Sequence, residues 1–292
     1  MGFSDDGDAV ASAGMMSAVL KEVAASGSVF MQHCQDPTMT VGSVMHAGEV
    51  SARLGVVGWP REAEEVILER DVRLNRAIGC RYHAQHLSSA GSMEIIRAAR
   101  ARGERVTGEA SPHHLHLTDE TCAGADGHGL NTLGKVNPPV REASDVQALR
   151  EAVAEGVVTI LGTDHAPHAA GEKALAFESA PFGMVGLEFA VALYAEALVE
   201  SGAIDWPRLV ALLTTEPADL LGVAESGIGR LSRGGVADVT VFDPSAKWVI
   251  GPETLAGKSA NTPFLGRSVT GRPRLTLHAG RATFEAVPAG SA

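Results

Sequence analysis

The chain has 292 residues, 45% hydrophobic and 20% charged, an ordinary globular composition that fits one large domain or one domain with a smaller companion. A formal charge of -11 leaves no basic stripe to neutralise phosphates, which argues against a nucleic-acid or anionic-membrane surface. The cysteines, Cys34, Cys80 and Cys122, are odd in number, widely spaced and outside any CxxC arrangement, so they read as buried or spare thiols of a reducing compartment.

The first residues, GFSDDG, are polar and acidic and give no secretory segment. A helix is expected over 13–25, followed by a strand over 28–33 (SVFMQH). Residues 61–78 carry Val66, Ile67, Val72, Leu74 and Ile78 at helical spacing with charges between them. Strands then follow at 81–86 and 104–109, each paired with a helix, at 91–102 and 142–154, and 157–161 (VVTIL) reads as a buried strand. This alternation favours parallel βα units. The apolar stretch 185–199 is interrupted by Glu188 and Glu196, so 184–200 reads as a packed helix rather than a membrane span, and a cytoplasmic protein is expected. Further helices are expected at 206–214 and 217–221. Short strands at 236–243, 247–250, 269–270 and 274–277 then form an all-β appendage, which divides the chain into 1–224 and 225–292.

Parallel βα units place functional groups at the C-terminal ends of their strands. His33 and His86 each end a strand, Glu109 to His114 follow a third, Asp164 follows a fourth, and Asp6 lies at the very start. Zinc takes imidazole and carboxylate ligands and, in catalytic sites, keeps a position open for water. A lone strand-end histidine is more often structural, but two of them with Asp6 and Asp164 in reach favour a metal. Asp164 opens the segment Gly162-Thr163-Asp164-His165-Ala166-Pro167-His168 and suits proton transfer between an attacking water and a leaving nitrogen. His168 either donates to a substrate carboxylate or caps the turn around Pro167. In Asn137-Pro138-Pro139-Val140-Arg141 the paired prolines make a rigid loop; Asn137 offers an amide to a polar ring, and Arg141 either holds a carboxylate or serves the turn. His113 and His114 read as groups that orient the ligands rather than as ligands.

Taken in order, the segments FSDDG (3–7), QHCQDP (32–37), HAQHLSSAGS (83–92), EASPHHL (109–115), KVNPPVR (135–141) and TDHAPH (163–168) resemble those of the dihydroorotases, the longer bacterial class of the amidohydrolase superfamily. GGVADVTVFD (234–243) resembles the small β-sandwich that closes such chains. The resemblance implies a metal-dependent (β/α)8 TIM barrel that interconverts dihydroorotate and N-carbamoyl-aspartate in pyrimidine synthesis. It likens Asp6 to a carboxylate bridging two zinc ions, His33 and His86 to imidazole ligands of one zinc, and Asp164 to a ligand of the other that also shuttles the proton. Asn137 and His168 resemble groups that contact the pyrimidine and its carboxylate. The Asp5-Asp6-Gly7 segment stands where hydantoinases and allantoinases carry a carboxylated lysine, which favours dihydroorotase.

The superfamily's His-x-His pair at the end of the first barrel strand has no counterpart, since the one such triplet is His114-Leu115-His116, well downstream. The expectation is therefore a partial barrel, its C-terminal half, with one zinc site intact, the second incomplete and activity impaired in this chain. Partners are expected to be the small-molecule substrate and either a second copy of the chain or aspartate transcarbamoylase. The competing readings are a non-catalytic dihydroorotase-like subunit supporting that transcarbamoylase, and a hydantoinase- or allantoinase-like cyclic amidase.

Overall fold

A computed structural model describes residues 1–286; residues 287–292, the end of the expected 225–292 appendage, lie outside the described residues. Short strands and amphipathic helices alternate from the start: β1 (Gly2–Ser4), α1 (Ala13–Ala25), β2 (Val29–Gln32), β3 (Met45–His46), α2 (Glu49–Leu54), β4 (Gly58–Trp59) and α3 (Glu62–Asn75). Then come β5 (Arg81–Ala84), α4 (Ala90–Ala101), β6 (Val106–Ala110), α5 (Ala143–Ala154), β7 (Ile160–Leu161) and α6 (Ala170–Lys173). The remainder is α7 (Ala190–Tyr194), α8 (Trp206–Leu213), α9 (Thr215–Leu221), β8 (Val239–Val249), β9 (Ser268–His278) and β10 (Arg281–Glu285).

The main sheet runs β1-β2-β5-β6-β7 with every pair parallel, as expected of a partial barrel. Helices cover it because their apolar residues recur at helical spacing. In α1 the Ser12 hydroxyl accepts from the Met15 amide at the N-cap, and Met16, Leu20 and Val23 are buried on one stripe. They meet Ile67 and Leu68 of α3, Met93 and Ile96 of α4, Leu149 of α5 and Phe30 and Tyr82 from the sheet in one core. Each large side chain so buried contributes about 1.5–3 kcal/mol.

Three departures from the sequence pattern have local causes. Residues 157–161 form only the two-residue β7, because the Val157 and Val158 amides turn back to the Ala152 carbonyl and close α5. Residues 184–200 do not form one helix. The His165 ring accepts from the Gly186 and Leu187 amides, so the helix begins with a tight turn at Leu187–Phe189, continues as α7 and widens into a π-turn over Ala195–Glu200. In the appendage the expected short strands join into the long β8 and β9, irregular around Pro244, and β10 adds a third strand. Ala279 and Gly280, both at positive φ, make the two-residue hairpin turn between β9 and β10. Between β8 and β9 the chain returns to the barrel, where Ile250 and Phe264 pack with Val185 and Phe189.

Arg141 is buried and serves the fold rather than a ligand: Nε donates to Ser88 Oγ (3.0 Å) and Nη1 to the Trp59 carbonyl (2.8 Å). Beside it His46 is fully buried, with Nδ1 3.3 Å from Arg141 Nη1. Burial, followed by the charges of Arg141 and Arg61, pushes its pKa down to about 4. An unfolded chain protonates His46 near pH 6.5, whereas the folded chain keeps it neutral to about 4, so stability is full above pH 6.5 and falls as pH drops through that window. The loss reaches about 3 kcal/mol. Urea unfolding of His46→Gln at pH 7 and pH 4.5 is expected to show a smaller difference than the unaltered chain.

No helix among the described residues is long and apolar enough to cross a membrane.

Candidate active site

The C-terminal ends of the strands converge on one mouth. Asp6 follows β1 in a turn closed by Asp8 N to the Asp5 carbonyl, with Gly7 at φ +95°. The Ser4 hydroxyl accepts from the Asp6 amide (3.1 Å) and donates to Gln85 Oε1 (2.8 Å), tying this turn to the residue before His86. His33 directly follows β2. His86 lies two residues beyond β5 rather than ending it, with φ +29°, and its amide donates to Glu109 Oε1 of β6 (3.2 Å). Asp164 lies three residues beyond β7 at φ +47°. A side chain other than glycine held in this region costs about 1–3 kcal/mol, and such strain concentrates at functional sites.

Asp6, His33 and His86 meet. His33 Nδ1 is 3.3 Å from His86 Nε2, His86 Nε2 is 3.1 Å from Asp6 Oδ1, and His33 Nδ1 is 3.4 Å from Asp6 Oδ1. Zinc–nitrogen and zinc–oxygen bonds near 2.0–2.1 Å place the vertices of a tetrahedron about 3.3–3.4 Å apart. The three donor atoms therefore already have the spacing of one tetrahedral face. Gln35 Oε1, 3.0 Å from His33 Nε2, is placed to accept a proton there, the tautomer that would free Nδ1 for a metal.

The electrostatics also favour a cation. Burial alone would lower the His86 pKa, yet Asp6, Asp164 and Glu109 outweigh it and raise the value to about 9. Asp6 is held well below the usual carboxylate range by hydrogen bonds from His33 and His86. The negative potential that keeps a proton on His86 would equally hold a metal ion.

Asp164 does not join the triangle. Its Oδ2 lies 3.2 Å from His113 Nε2, and although burial raises its pKa, His113, His86 and His114 outweigh that and hold it ionised. Asn137 is reached through Gln35, whose Oε1 accepts from both Asn137 Nδ2 (3.1 Å) and His33. Asn137 Oδ1 is buried without a protein partner. His168 is tied into its own loop: Nε2 donates to the Phe182 carbonyl (2.7 Å), its amide donates to Asn261 Oδ1 (3.1 Å), and Nδ1 lies 3.8 Å from the Glu172 carboxylate. His114 bridges Ser111 Oγ (2.7 Å) and the Pro138 carbonyl (2.9 Å), fastening the segment after β6 to the proline loop.

Sequence reasoning missed His83 and Gln35. His83 holds Glu109 Oε2 at 3.1 Å, so Glu109 bridges His83 and the His86 amide. Its available signal was the alternation His83, Gln85 along a strand beside Glu109. Gly162 belongs to the same device, since a Cβ there would stand 2.8 Å from the Glu109 carboxylate.

A parallel βα sheet with carboxylates and imidazoles gathered at its strand ends, three of them at metal-ligand spacing, has the layout of a partial barrel of the amidohydrolase type with a candidate metal centre. Comparison with known proteins agrees. A family model described as Dihydro-orotase-like matches residues 1–92. The chain is 44% identical over 283 residues to a dihydroorotase of Pelotomaculum thermopropionicum, covering 97% of this chain and 64% of that relative. It is 44% identical over 282 residues to a dihydroorotase of Streptomyces coelicolor, covering 96% and 64%. Among solved structures, an L-hydantoinase (dihydropyrimidinase) of Arthrobacter aurescens superposes with a TM-score of 0.81 at 28% identity, covering 98% of this chain and 63% of that one. Over nearly its whole length the chain is similar to dihydroorotases, and it spans just under two thirds of the length of these curated relatives.

Proposed function

We propose that this chain carries the metal-binding and proton-transferring groups of a dihydroorotase, catalysing reversible hydrolysis of the cyclic amide of dihydroorotate to N-carbamoyl-aspartate in pyrimidine synthesis. The observation that carries the reading is the Asp6–His33–His86 triangle, with edges of 3.1–3.4 Å, in a chain similar to dihydroorotases over nearly its whole length. Those residues would hold one zinc ion; a second would need further ligands beside Asp164. Zinc bound there supplies Lewis acidity toward water and a carbonyl oxygen. Asp164, ionised at the same mouth, accepts a proton from the attacking water and returns it to the leaving ring nitrogen. Asn137 Oδ1, buried and unpaired, accepts from a ring N–H of the substrate. His168 is the weaker of the two substrate contacts, because Glu172 already stands beside its free nitrogen. The three free, buried cysteines accord with a cytoplasmic setting.

The test is turnover of dihydroorotate, hydantoin and allantoin side by side, with zinc-loaded protein alone and with added aspartate transcarbamoylase. Preference for dihydroorotate is the expected result. Preference for hydantoin or allantoin would reassign the site to another cyclic amidase, and turnover of none would leave a non-catalytic subunit.

A further inference from the structure

We propose that Arg70 is a positioning residue for the metal centre: its guanidinium fastens the loop that carries Asp6 to α3, the helix that also holds the loop carrying His86. The proposal rests on the reading that the Asp6–His33–His86 triangle binds zinc.

Asp6 is the least anchored of the three donors. Its side chain is 49% exposed, whereas those of His33 and His86 are 2% and 6% exposed. It follows a three-residue strand and precedes Gly7-Asp8-Ala9, a stretch with neither regular structure nor bulky side chains to fix its path. The Ser4 hydroxyl ties its near side to Gln85, and the far end of that loop is held as well. Arg70 Nη2 donates to the Val10 carbonyl (2.7 Å) and Nη1 to the Ala11 carbonyl. A planar guanidinium with two donors on consecutive carbonyls fixes direction as well as distance.

Arg70 is itself oriented. Nε and Nη2 lie 2.8 Å and 2.7 Å from Asp71 Oδ1, and Asp71 Oδ2 accepts from the Tyr82 hydroxyl (3.0 Å). Tyr82 belongs to β5, the strand that leads to His86. One continuous chain of contacts thus joins the Asp6 loop, Arg70, Asp71 and the strand of a second ligand.

The same helix acts on His86 directly. Glu64 lies seven residues before Asp71, two turns along one face, and both are buried. Its carboxylate accepts from the Ser88 amide (3.2 Å), the Ser89 amide (3.1 Å) and the Ser92 hydroxyl (2.6 Å), and so fixes the loop just after His86. With Glu64 on one ligand loop and Arg70–Asp71 on the other, α3 sets their separation. Ligand geometry tolerates only about 0.5 Å of misplacement. A loop released at Val10 and Ala11 would carry Asp6 out of that range without altering any ligand.

The experiment measures zinc affinity by chelator competition, and the visible spectrum of the cobalt-substituted protein, for the unaltered chain, Arg70→Met, Arg70→Lys, Asp71→Asn and His33→Ala. Arg70→Met is expected to bind zinc about 10–100-fold more weakly, the range for groups that orient ligands, with an altered cobalt spectrum. Arg70→Lys should recover part of the loss. Should Arg70→Met fail to fold, Asp71→Asn, which loosens the guanidinium without removing it, carries the same comparison. Folded variants with unchanged affinity and spectrum, while His33→Ala loses the metal, would overturn the positioning role. Equal zinc binding by the unaltered chain and His33→Ala would instead overturn the metal reading, and the proposal with it.

Discussion

Asp164→Asn is expected to lower dihydroorotate turnover by about 10²–10⁴-fold relative to the unaltered chain, the usual contribution of a positioned proton-transfer group, while zinc uptake persists. The substitution isolates the proton. Asn matches Asp in shape, and both are among the few side chains that tolerate the left-handed backbone, so the φ of +47° at this position is not a reason for the loop to move. Asp164 is also outside the Asp6–His33–His86 triangle, so the three donors keep their spacing. What disappears is a carboxylate that His113, His86 and His114 keep ionised against burial, and with it the capacity to take a proton from water. On the proposed function a proton shuttle at Asp164 serves both directions, so ring opening of dihydroorotate and ring closure of N-carbamoyl-aspartate should fall by the same factor. Steady-state assays in each direction, with zinc content measured on the same samples, check this. Undiminished turnover in the Asn variant would exclude Asp164 as the shuttle and turn attention to Glu109.

The parts of this site that were legible in the sequence follow simple periodicities. Helix α1 was readable because Met16, Leu20 and Val23 fall on one stripe behind a Ser12 cap, and β2 because SVFMQH is a short apolar run ending in a polar residue. Once strands and helices alternate, the chemistry of parallel sheets points to the residues at and just beyond the strand ends, which brings out His33, His86 and Asp164, whereas Asp6, at the very start of the chain, has no such local signal. The illegible parts depend on long-range pairing. Met45–His46 and Gly58–Trp59 pair as two-residue strands too short to show any period, yet they build the pocket that receives Arg141. Nothing local distinguishes an Arg141 that ends in the core from one that faces a substrate; only the approach of Ser88 and Trp59 from elsewhere in the chain decides it. Gln35 likewise becomes informative only when Asn137, 102 residues away, reaches it. The break in the expected helix over 184–200 has the same origin, because its start is set by the His165 ring from a preceding loop.

Zinc-dependent stability should respond most strongly to His33→Ala and His86→Gly, and the two substitutions should differ in a telling way. Each removes one of three protein donors, so zinc affinity should fall by more than the 10–100-fold typical of groups that only orient ligands. For the unaltered chain, zinc at about 100 times its dissociation constant should stabilise the fold by about 2.7 kcal/mol, a gain that either variant should lose at the same concentration. Without zinc, however, the variants part company. His33 follows β2 with no backbone strain, and its loss leaves Gln35 Oε1 without one of its donors, so apo His33→Ala should be no more stable than the unaltered chain. His86 sits at φ +29°, where glycine has no penalty, and the substitution also removes an imidazole whose Nδ1 is buried without a partner. At about pH 9.5, above the raised pKa of His86, where its pairing with Asp6 no longer stabilises the fold, apo His86→Gly should therefore unfold at a higher urea concentration than His33→Ala, by about 1 kcal/mol or more. The two unfolding curves, each with and without zinc, separate a residue retained for the fold from one held in a strained conformation because it binds a cation. If His86→Gly proves less stable than His33→Ala in the absence of metal, His86 is structural, and its closeness to Asp6 reflects an ordinary ion pair.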